Sequence, residues 1–171
     1  MNERNTENVI IRTAMEKDLP ELTDIYNYEI EHTTATFSVT PLTPEERRPW
    51  FEAHNVDNHP LIVAEIQGRV AGYASLSPYR LLEAYHETVE LSVYVDHTFR
   101  GRGIASMLMQ SVLDDARRRS DVHCVISVIT GTNEASIHLH EKFGFTYCGT
   151  MREVGKKFHK RLDIVNYQLI V

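Results

Sequence analysis

Apolar residues recur along this chain with two different periods, and their order predicts the secondary structure. The apolar run at residues 9–11 predicts a first strand. At residues 18–21 an aspartate precedes a glutamate by three positions, which is a capping pattern and predicts a helix start. The apolar residues that follow at helical spacing are Leu22, Ile25, Tyr26 and Ile30.

A second helix start is followed by two strands. Residues 43–46 read Thr-Pro-Glu-Glu, a capping box with proline at the first helical position, and the predicted helix carries Trp50 and Phe51. Residues 61–77 predict two strands that are joined by a tight turn at residues 67–69.

The strand at residues 89–95 alternates between apolar and polar positions. Alternation places its side chains on two faces of a sheet. The apolar face carries Val89, Leu91, Val93 and Val95, and the other face carries Glu90, Ser92 and Tyr94. Glu90 therefore lies opposite the apolar row.

The last third of the chain continues this mixture of elements. A helix with the apolar stripe Ile104, Leu108, Val112 and Ala116 precedes a β-rich run at residues 123–129. Asn133 can cap a helix over residues 134–143, which Gly144 ends. Residues 145–151 and 161–171 predict the final strands.

The resulting order, β-α-α-β-β-β-α-β-α-β-β, predicts an α/β fold whose consecutive middle strands make the sheet mixed. We expect a single domain over residues 9–171, preceded by a polar extension at residues 1–8. Its 171 residues, 42% hydrophobic and 25% charged, fit one soluble globular domain. The net charge of −6 argues against general nucleic-acid binding.

Further classes of protein are disfavoured by single features of the sequence. No apolar run approaches the roughly 20 residues that would span a membrane. The two cysteines, Cys124 and Cys148, show neither a disulfide framework nor metal-ligand spacing, and the histidines are scattered. With a polar beginning unlike a signal peptide, we expect a cytoplasmic protein that has no metal.

The most informative motif is the run Arg-Gly-Arg-Gly-Ile-Ala at residues 100–105, between the alternating strand and the amphipathic helix. Glycines at a helix start let the backbone approach a phosphate, which the helix N-terminus attracts. The spacing fits neither a dinucleotide-binding fingerprint nor a Walker loop. The local pattern leaves two interpretations open. The glycines either form a phosphate-binding turn or only shape the chain for a tight turn.

Arg100, Gly103 and Ala105 match the Q/R-x-x-G-x-G/A signature, so the chain resembles the GNAT superfamily of N-acetyltransferases. Further blocks are similar to its phosphinothricin (methionine sulfoximine) acetyltransferase branch: residues 33–37, 75–80, 84–85, 88–90, 92–95, 139–142 and 153–155. The resemblance implies a twisted sheet of about seven strands that splays open and is flanked by about four helices. It also implies transfer of an acetyl group from acetyl-CoA to the α-amine of phosphinothricin, methionine sulfoximine or methionine sulfone.

The resemblance also implies which residues bind acetyl-CoA. The pyrophosphate is expected at the glycine-rich segment, and the pantetheine arm is expected at the preceding strand and at Asn133. The expected cofactor-binding residues are Val93, Tyr94, Val95, Arg100, Gly101, Arg102, Gly103, Ile104, Ala105, Ser106 and Asn133.

Two residues are candidates for catalysis. Glu90 is the expected base, because a carboxylate in a partly dry cleft has a raised proton affinity; spacing alone would favour an ordinary exposed or ion-paired glutamate. His140 stands where many superfamily members have a tyrosine that protonates the departing thiolate. A histidine can act as acid or base near neutral pH, and a structural role remains equally open.

The acceptor pocket is expected around Arg80, whose guanidinium pairs bidentately with a carboxylate or phosphinate. The full expected set is Phe37, Tyr79, Arg80, Leu81, Leu82, Tyr85, Glu90, Leu91 and Ser92. The residues that depart from those that relatives often carry are Leu81, Leu82, Glu83, Leu91 and His159. These departures bear on the choice of acceptor more than on the reaction.

Three alternatives stay open. The chain could be an acetyl-CoA-binding module without turnover, although it retains both Glu90 and His140. It could instead acetylate another small amine or a protein amine.

The family often forms homodimers, and we expect a homodimer in which the loop at residues 153–161 contributes to the interface.

Overall fold

The structure is a computed structural model that describes residues 8–171, and within them it contains a seven-stranded sheet and four α-helices. The elements are β1 (Val9–Thr13), α1 (Leu19–His32), α2 (Pro44–Glu52), β2 (Leu61–Ile66), β3 (Arg69–Pro78), β4 (Thr88–Val95), α3 (Ile104–Arg118), β5 (Cys124–Thr130), α4 (Glu134–Lys142), β6 (Thr146–Lys157) and β7 (Lys160–Ile170). The predicted element order and fold class are confirmed. The first seven residues of the predicted extension lie outside the described residues.

The strands lie in the order β1-β2-β3-β4-β5-β7-β6, and β4–β5 is the parallel pair among antiparallel ones. The β4–β5 ladder ends where Glu90 faces Ile126. On its other side, β4 stays paired with β3 up to Val95, and β5 stays paired with β7 up to Thr130. The two central strands therefore diverge after Glu90 and open a gap in the sheet.

Apolar side chains cover both faces of this sheet. On one face, α3 buries the predicted stripe Ile104, Leu108, Val112 and Ala116. On the other face, Tyr73 is completely buried with Leu22 and Ile25 of α1. Val89 and Leu91 belong to the first core and Tyr94 packs against the second, so the predicted alternation along β4 is confirmed.

The two predicted helix starts have different outcomes. The capping box of α2 is present: the Glu46 amide donates to Thr43 Oγ1 at 3.2 Å, and the Thr43 amide donates to Glu46 Oε2 at 2.8 Å. The helix start predicted at Asp18 has the right position, because Asp18 is the N-cap of α1, but its side chain does not cap that helix. Its carboxylate accepts a hydrogen bond from the Met15 amide at 2.7 Å and two from the Arg12 guanidinium, at 2.7 and 2.8 Å. These charge-assisted bonds are stronger than a neutral cap.

The prediction for the end of the chain was too short. β6 does not stop at residue 151 but continues to Lys157, so most of the predicted loop at residues 153–161 is strand. The turn lies at Phe158 and His159, which both have positive φ. An irregular register between Met151 and Gly155 breaks the alternation that would have indicated a strand.

Gly72 of β3 provides a test of the packing under α3. A Cβ atom there would lie 2.8 Å from the Tyr94 carbonyl oxygen and 3.2 Å from Leu108 Cδ1. Because strand backbone cannot shift without disturbing the β3–β4 pairing, we expect Gly72→Ala to lower the free energy of unfolding by about 1–3 kcal/mol. Urea unfolding measures this change.

Gly131→Ala is the matched control, because its added Cβ would meet Asp163 Cβ at an ordinary 3.4 Å. Equal losses of stability in the two variants would contradict the packing argument.

Candidate active site

The gap between β4 and β5 holds a cavity of about 270 Å³, which we call the inner cavity. It lies between the two diverging strands, and helix α4 and the 35–37 segment close it. Its lining is Ala35, Thr36, Phe37, Glu90, Leu91, Ser92, Val93, Tyr94, Ser127, Val128, Ile129, Thr130, Asn133, Ser136, His140 and Ile164.

A second space of about 520 Å³, the outer groove, adjoins it and reaches the start of α3. Its lining is Glu29, Thr33, Thr34, Ala35, Val93, Tyr94, Val95, Phe99, Arg100, Gly101, Gly103, Ile104, Ala105, Ser106, Thr132, Asn133, Ala135, Ser136, Leu139 and His140. The residues common to both spaces are Ala35, Val93, Tyr94, Asn133, Ser136 and His140. Groups that enter from the two sides would meet at this junction.

Glu90 lines the inner cavity at the point where the strands diverge. Burial raises the pKa of its carboxyl above the ordinary value of 4.5. Within residues 8–171 its carboxylate has neither an ion pair nor a hydrogen bond that would oppose this effect. Glu90 is therefore suited to accept a proton nearer to neutral pH than an exposed glutamate would.

His140 lies on α4 at the junction and is only 5% exposed. Its Nδ1 is 2.7 Å from the Ser136 carbonyl oxygen, and because a carbonyl only accepts, the hydrogen belongs on Nδ1. Nε2 then holds the lone pair, and it is buried without a hydrogen-bond partner among the described residues. Burial lowers the pKa of the imidazole, which keeps the ring neutral and makes Nε2 a proton acceptor.

The glycine-rich segment forms the end of the outer groove. Gly101 and Gly103 have φ of +76° and +79°, which side chains rarely adopt, so the turn itself requires glycine. Gly103 is the N-cap of α3 and supplies no side-chain cap, and the first turn of α3 carries no acidic residue. The amides of this turn are therefore available to an anion, which the helix dipole attracts.

Arg100 differs from its expected role. Its guanidinium donates a hydrogen bond to the buried carboxylate of Glu29, which also lines the groove. Arg102 is outside the groove lining, with its guanidinium 5.1 Å from the centre of the Phe99 ring. An anion bound at this turn would therefore meet backbone amides, while Arg100 balances a carboxylate that would otherwise repel it.

The groove fits the expected acetyl-CoA. Past Glu90, the side of β4 that faces the gap has left the β5 ladder, so its peptide groups can pair with the amides of a pantetheine arm. The glycine-rich turn at the far end fits the pyrophosphate. Apart from Arg102, all the expected cofactor-binding residues line the outer groove.

The expected acceptor residues fall into two groups. Phe37, Glu90, Leu91 and Ser92 line the inner cavity. The 79–85 segment does not: the Arg80 guanidinium packs 5.2 Å from the centre of the Tyr79 ring and 5.7 Å from that of Tyr85. Leu81 and Leu82 are 94% and 67% exposed. The inner cavity consequently has no arginine or lysine in its described lining.

Ser127 is a cavity residue that the sequence analysis missed. It is 1% exposed, and its Oγ has no hydrogen-bond partner among the described residues. Its signal was hidden because it lies in an apolar run that indicates a core strand, and only the divergence of β4 from β5 exposes it to the cavity. An unpaired buried hydroxyl is a group that a bound polar molecule would satisfy.

In the part of the chain that the structure describes, no cluster of three or more His, Cys, Asp or Glu side chains is arranged to hold a metal ion. None of the helices described is long and apolar enough to cross a membrane.

The chain is similar to known acetyltransferases over most of its length. The family model "Acetyltransferase (GNAT) family" matches residues 22–145. The chain is 45% identical to a phosphinothricin N-acetyltransferase of Streptomyces coelicolor, over 95% of this chain and 96% of that one. It is 39% identical to an L-methionine sulfoximine/L-methionine sulfone acetyltransferase of Pseudomonas paraeruginosa, over 93% and 92%.

A solved structure shares the fold. It is a phosphinothricin acetyltransferase of the GNAT superfamily from Sinorhizobium meliloti in complex with acetyl-CoA. It has a TM-score of 0.91 and 31% identity, and the match covers 95% of this chain and 88% of that one.

The tautomer of His140 can be tested without any activity assay. We expect nitrogen NMR of the free protein to show hydrogen on Nδ1 at neutral pH. We also expect the ring to become charged only below the ordinary histidine pKa of 6.5, because burial disfavours the imidazolium. His140→Gln identifies the signal, and a hydrogen on Nε2 at neutral pH would contradict the assignment.

Proposed function

Because this chain belongs to the GNAT family of acetyltransferases, we propose that it acetylates the α-amine of a glutamate-like amino acid such as phosphinothricin, methionine sulfoximine or methionine sulfone. The observation that carries this proposal is the junction of the inner cavity with the outer groove. The inner cavity is a small space that is lined by the Glu90 carboxylate, which can accept a proton. The outer groove suits a long anionic cofactor.

Acetyl-CoA supplies the acetyl group as a thioester and leaves as the free thiol. On the protein side, the amides at the start of α3 hold the pyrophosphate, and residues 93–95 and Asn133 bind the pantetheine arm. Asn133 also caps α4, with its Oδ1 3.2 Å from the Ser136 amide nitrogen, so its side chain is held at the junction. This fixed geometry brings the thioester and the amine together, which removes much of the entropic barrier.

Two protons must leave the incoming ammonium group, since the product is an amide; one ends on the thiol and the other is released. Glu90 takes the first proton, directly or through water, and passes it to solvent. What supports this role is the position of Glu90 in the cavity and the raised pKa of its carboxyl. Its negative charge also attracts the ammonium group before the proton is lost.

His140 transfers the second proton from the amine to the leaving sulfur. As the neutral Nδ1–H tautomer, His140 has no proton on Nε2 to donate at the outset. It acts first as a base, taking the second proton of the amine, and then as an acid, returning that proton to the leaving sulfur. The position of His140 on both spaces supports this sequence, because one nitrogen can serve both sides of the junction.

The anionic end of the acceptor needs a cation that the inner cavity lacks. Arg80 is the proposed partner, from the segment that follows directly after β3. Tyr79 and Tyr85 hold its guanidinium at the surface, from which binding would draw it toward the acceptor.

The remaining proposals are a single domain over residues 9–171, a cytoplasmic homodimer and a reaction without a metal.

The alternative acceptors are another small amine or a protein amine, and a binding module without turnover is the further alternative. The small size of the inner cavity favours a free amino acid over a folded protein. The unpaired Nε2 of His140 argues against a module that only binds.

The proposal is tested by thiol release from acetyl-CoA with a panel of acceptors. We expect release with phosphinothricin, methionine sulfoximine and methionine sulfone, and much less with amino acids that lack the polar side-chain end. The same panel should include a peptide with a free N-terminus. Release with the peptide alone would show a protein acceptor, and binding of CoA in calorimetry without any release would show a module that only binds.

Replacement of Glu90 tests its role as base. Because the folded pKa is raised, the carboxyl is protonated and inactive below that pKa, so kcat/KM should fall as the pH drops through it. We expect Glu90→Gln to lower kcat about 100-fold at neutral pH and to remove this acidic limb from the profile. Glu87→Gln is the control, since Glu87 is exposed and lies outside both spaces. An unchanged acidic limb in Glu90→Gln would reject this role.

A further inference from the structure

The wall between the two spaces is a short segment, residues 33–37, which we call the dividing segment. Thr33, Thr34 and Ala35 line the outer groove, and Ala35, Thr36 and Phe37 line the inner cavity. It contains neither helix nor strand, although the Thr33 amide donates to the Glu29 carbonyl oxygen of α1 at 3.2 Å. Beyond Thr33, side-chain contacts set its position, and that position decides where an acceptor lies relative to the thioester.

The groove half of the dividing segment has its own anchors. Thr33 Oγ1 donates to Glu29 Oε2 at 2.6 Å, and Thr130 of β5 donates to the Thr34 carbonyl oxygen. These bonds hold the segment against α1 and β5. Thr130 and the Glu29 carboxylate, which is itself paired with Arg100, lie outside β6, so displacement of β6 should disturb the groove half less than the cavity half.

The cavity half is held by α1 and by the end of β6. From α1, the Tyr26 hydroxyl lies 2.9 Å from Thr36 Oγ1. Lys157 is only 4% exposed, and its Nζ donates to the Thr36 carbonyl oxygen at 2.8 Å and to the Glu29 carbonyl oxygen at 3.1 Å. Burying an ammonium group is costly unless it is hydrogen-bonded, and these two carbonyls are its partners. The neighbouring Lys156 is exposed, which is the alternation expected of a strand.

Gly155 supports the same half by the absence of a side chain. A Cβ atom there would lie 2.1 Å from Phe37 Cε2 and 2.4 Å from Phe37 Cδ2, so the Phe37 ring rests on bare β6 backbone. The φ of Gly155 is not in the positive range, so space and not conformation requires glycine at this position. Any larger residue must move the ring, and the ring lines the inner cavity.

We propose that Gly155 and Lys157 are positioning residues for the acceptor: they act through Phe37 and Thr36 and set the shape of the inner cavity. This proposal rests on the proposed function, in which the inner cavity receives the acceptor. Because Thr130 and the Glu29 carboxylate hold the groove half from outside β6, a change in β6 should disturb acceptor binding more than acetyl-CoA binding.

The first test is a pair of changes at the glycine contact. We expect Gly155→Ala to lower kcat/KM for the acceptor about 10- to 100-fold, as a displacement of about 1 Å can, while the KM for acetyl-CoA stays within about twofold. In a Phe37→Ala background the obstructing ring is absent, so adding Gly155→Ala should cost little more. Losses that add in the double variant, or equal rises in both KM values, would overturn the proposal.

The second test is at the lysine contact. Lys157→Met removes the lysine donor from the Thr36 carbonyl oxygen, while the Glu29 carbonyl oxygen keeps the Thr33 amide, and it should raise the KM for the acceptor. Lys157→Arg keeps the charge and the donors, so its acceptor KM should lie nearer to that of the parent protein. Lys156→Met is the matched control and should behave as the parent protein does. Calorimetry with CoA verifies that each variant still folds and binds. An acceptor KM in Lys157→Met equal to that in Lys156→Met would overturn the role of Lys157.

A readout that needs no acceptor separates this proposal from the proposed function. Fluorine NMR of protein labelled with 4-fluorophenylalanine reports on the Phe37 ring, whose signal Phe37→Leu identifies. We expect Gly155→Ala and Lys157→Met to shift that signal, even if the parent protein acetylates no amino acid in the panel. An unshifted Phe37 signal in both variants would overturn the proposal, whatever the acceptor proves to be.

Discussion

The end of the β4–β5 ladder at Glu90 and Ile126 is the constraint on which the site depends. If the two strands stayed paired, the peptide groups of residues 91–95 would be used within the sheet. The side chains of Ser127 and Glu90 would then lie on opposite faces of a closed layer. Divergence leaves these peptide groups without partners on β5, as the proposed pantetheine contact requires, and opens both faces into one cavity. Antiparallel pairing of β4 with β3, and of β5 with β7, keeps the gap rigid on both sides.

Charge is distributed unevenly around this gap. Glu29 and Lys157 are buried near the outer groove and the dividing segment, and both have partners: Arg100 for the Glu29 carboxylate, and carbonyl oxygens for the Lys157 ammonium. Glu90 has no such partner among the described residues. The buried charges that shape the site are therefore compensated, and the uncompensated one is placed where a cationic amine would arrive.

Local patterns predicted the parts of the molecule that local forces determine. The stripe of α3, the alternation of β4 and the glycines at positions 101 and 103 each follow from period or backbone conformation. Glu29, Ser127 and Gly155 were missed because their roles arise from the placement of segments that are distant in sequence. Gly155 illustrates this limit, because its backbone conformation is ordinary. A side chain is excluded there only by the contact with Phe37, which lies more than a hundred positions earlier in the chain.

Burial explains how two very different side chains can serve one reaction. An apolar environment disfavours whichever form is charged. For Glu90 that form is the carboxylate, so its pKa rises; for His140 it is the imidazolium, so its pKa falls. Burial thus raises the pKa of Glu90 and lowers the pKa of His140, which brings the two proton affinities toward each other. A carboxyl and an imidazole differ by about two pH units in water, and burial moves their pKa values in opposite directions, which suits the proposed use of both as proton acceptors at the same pH.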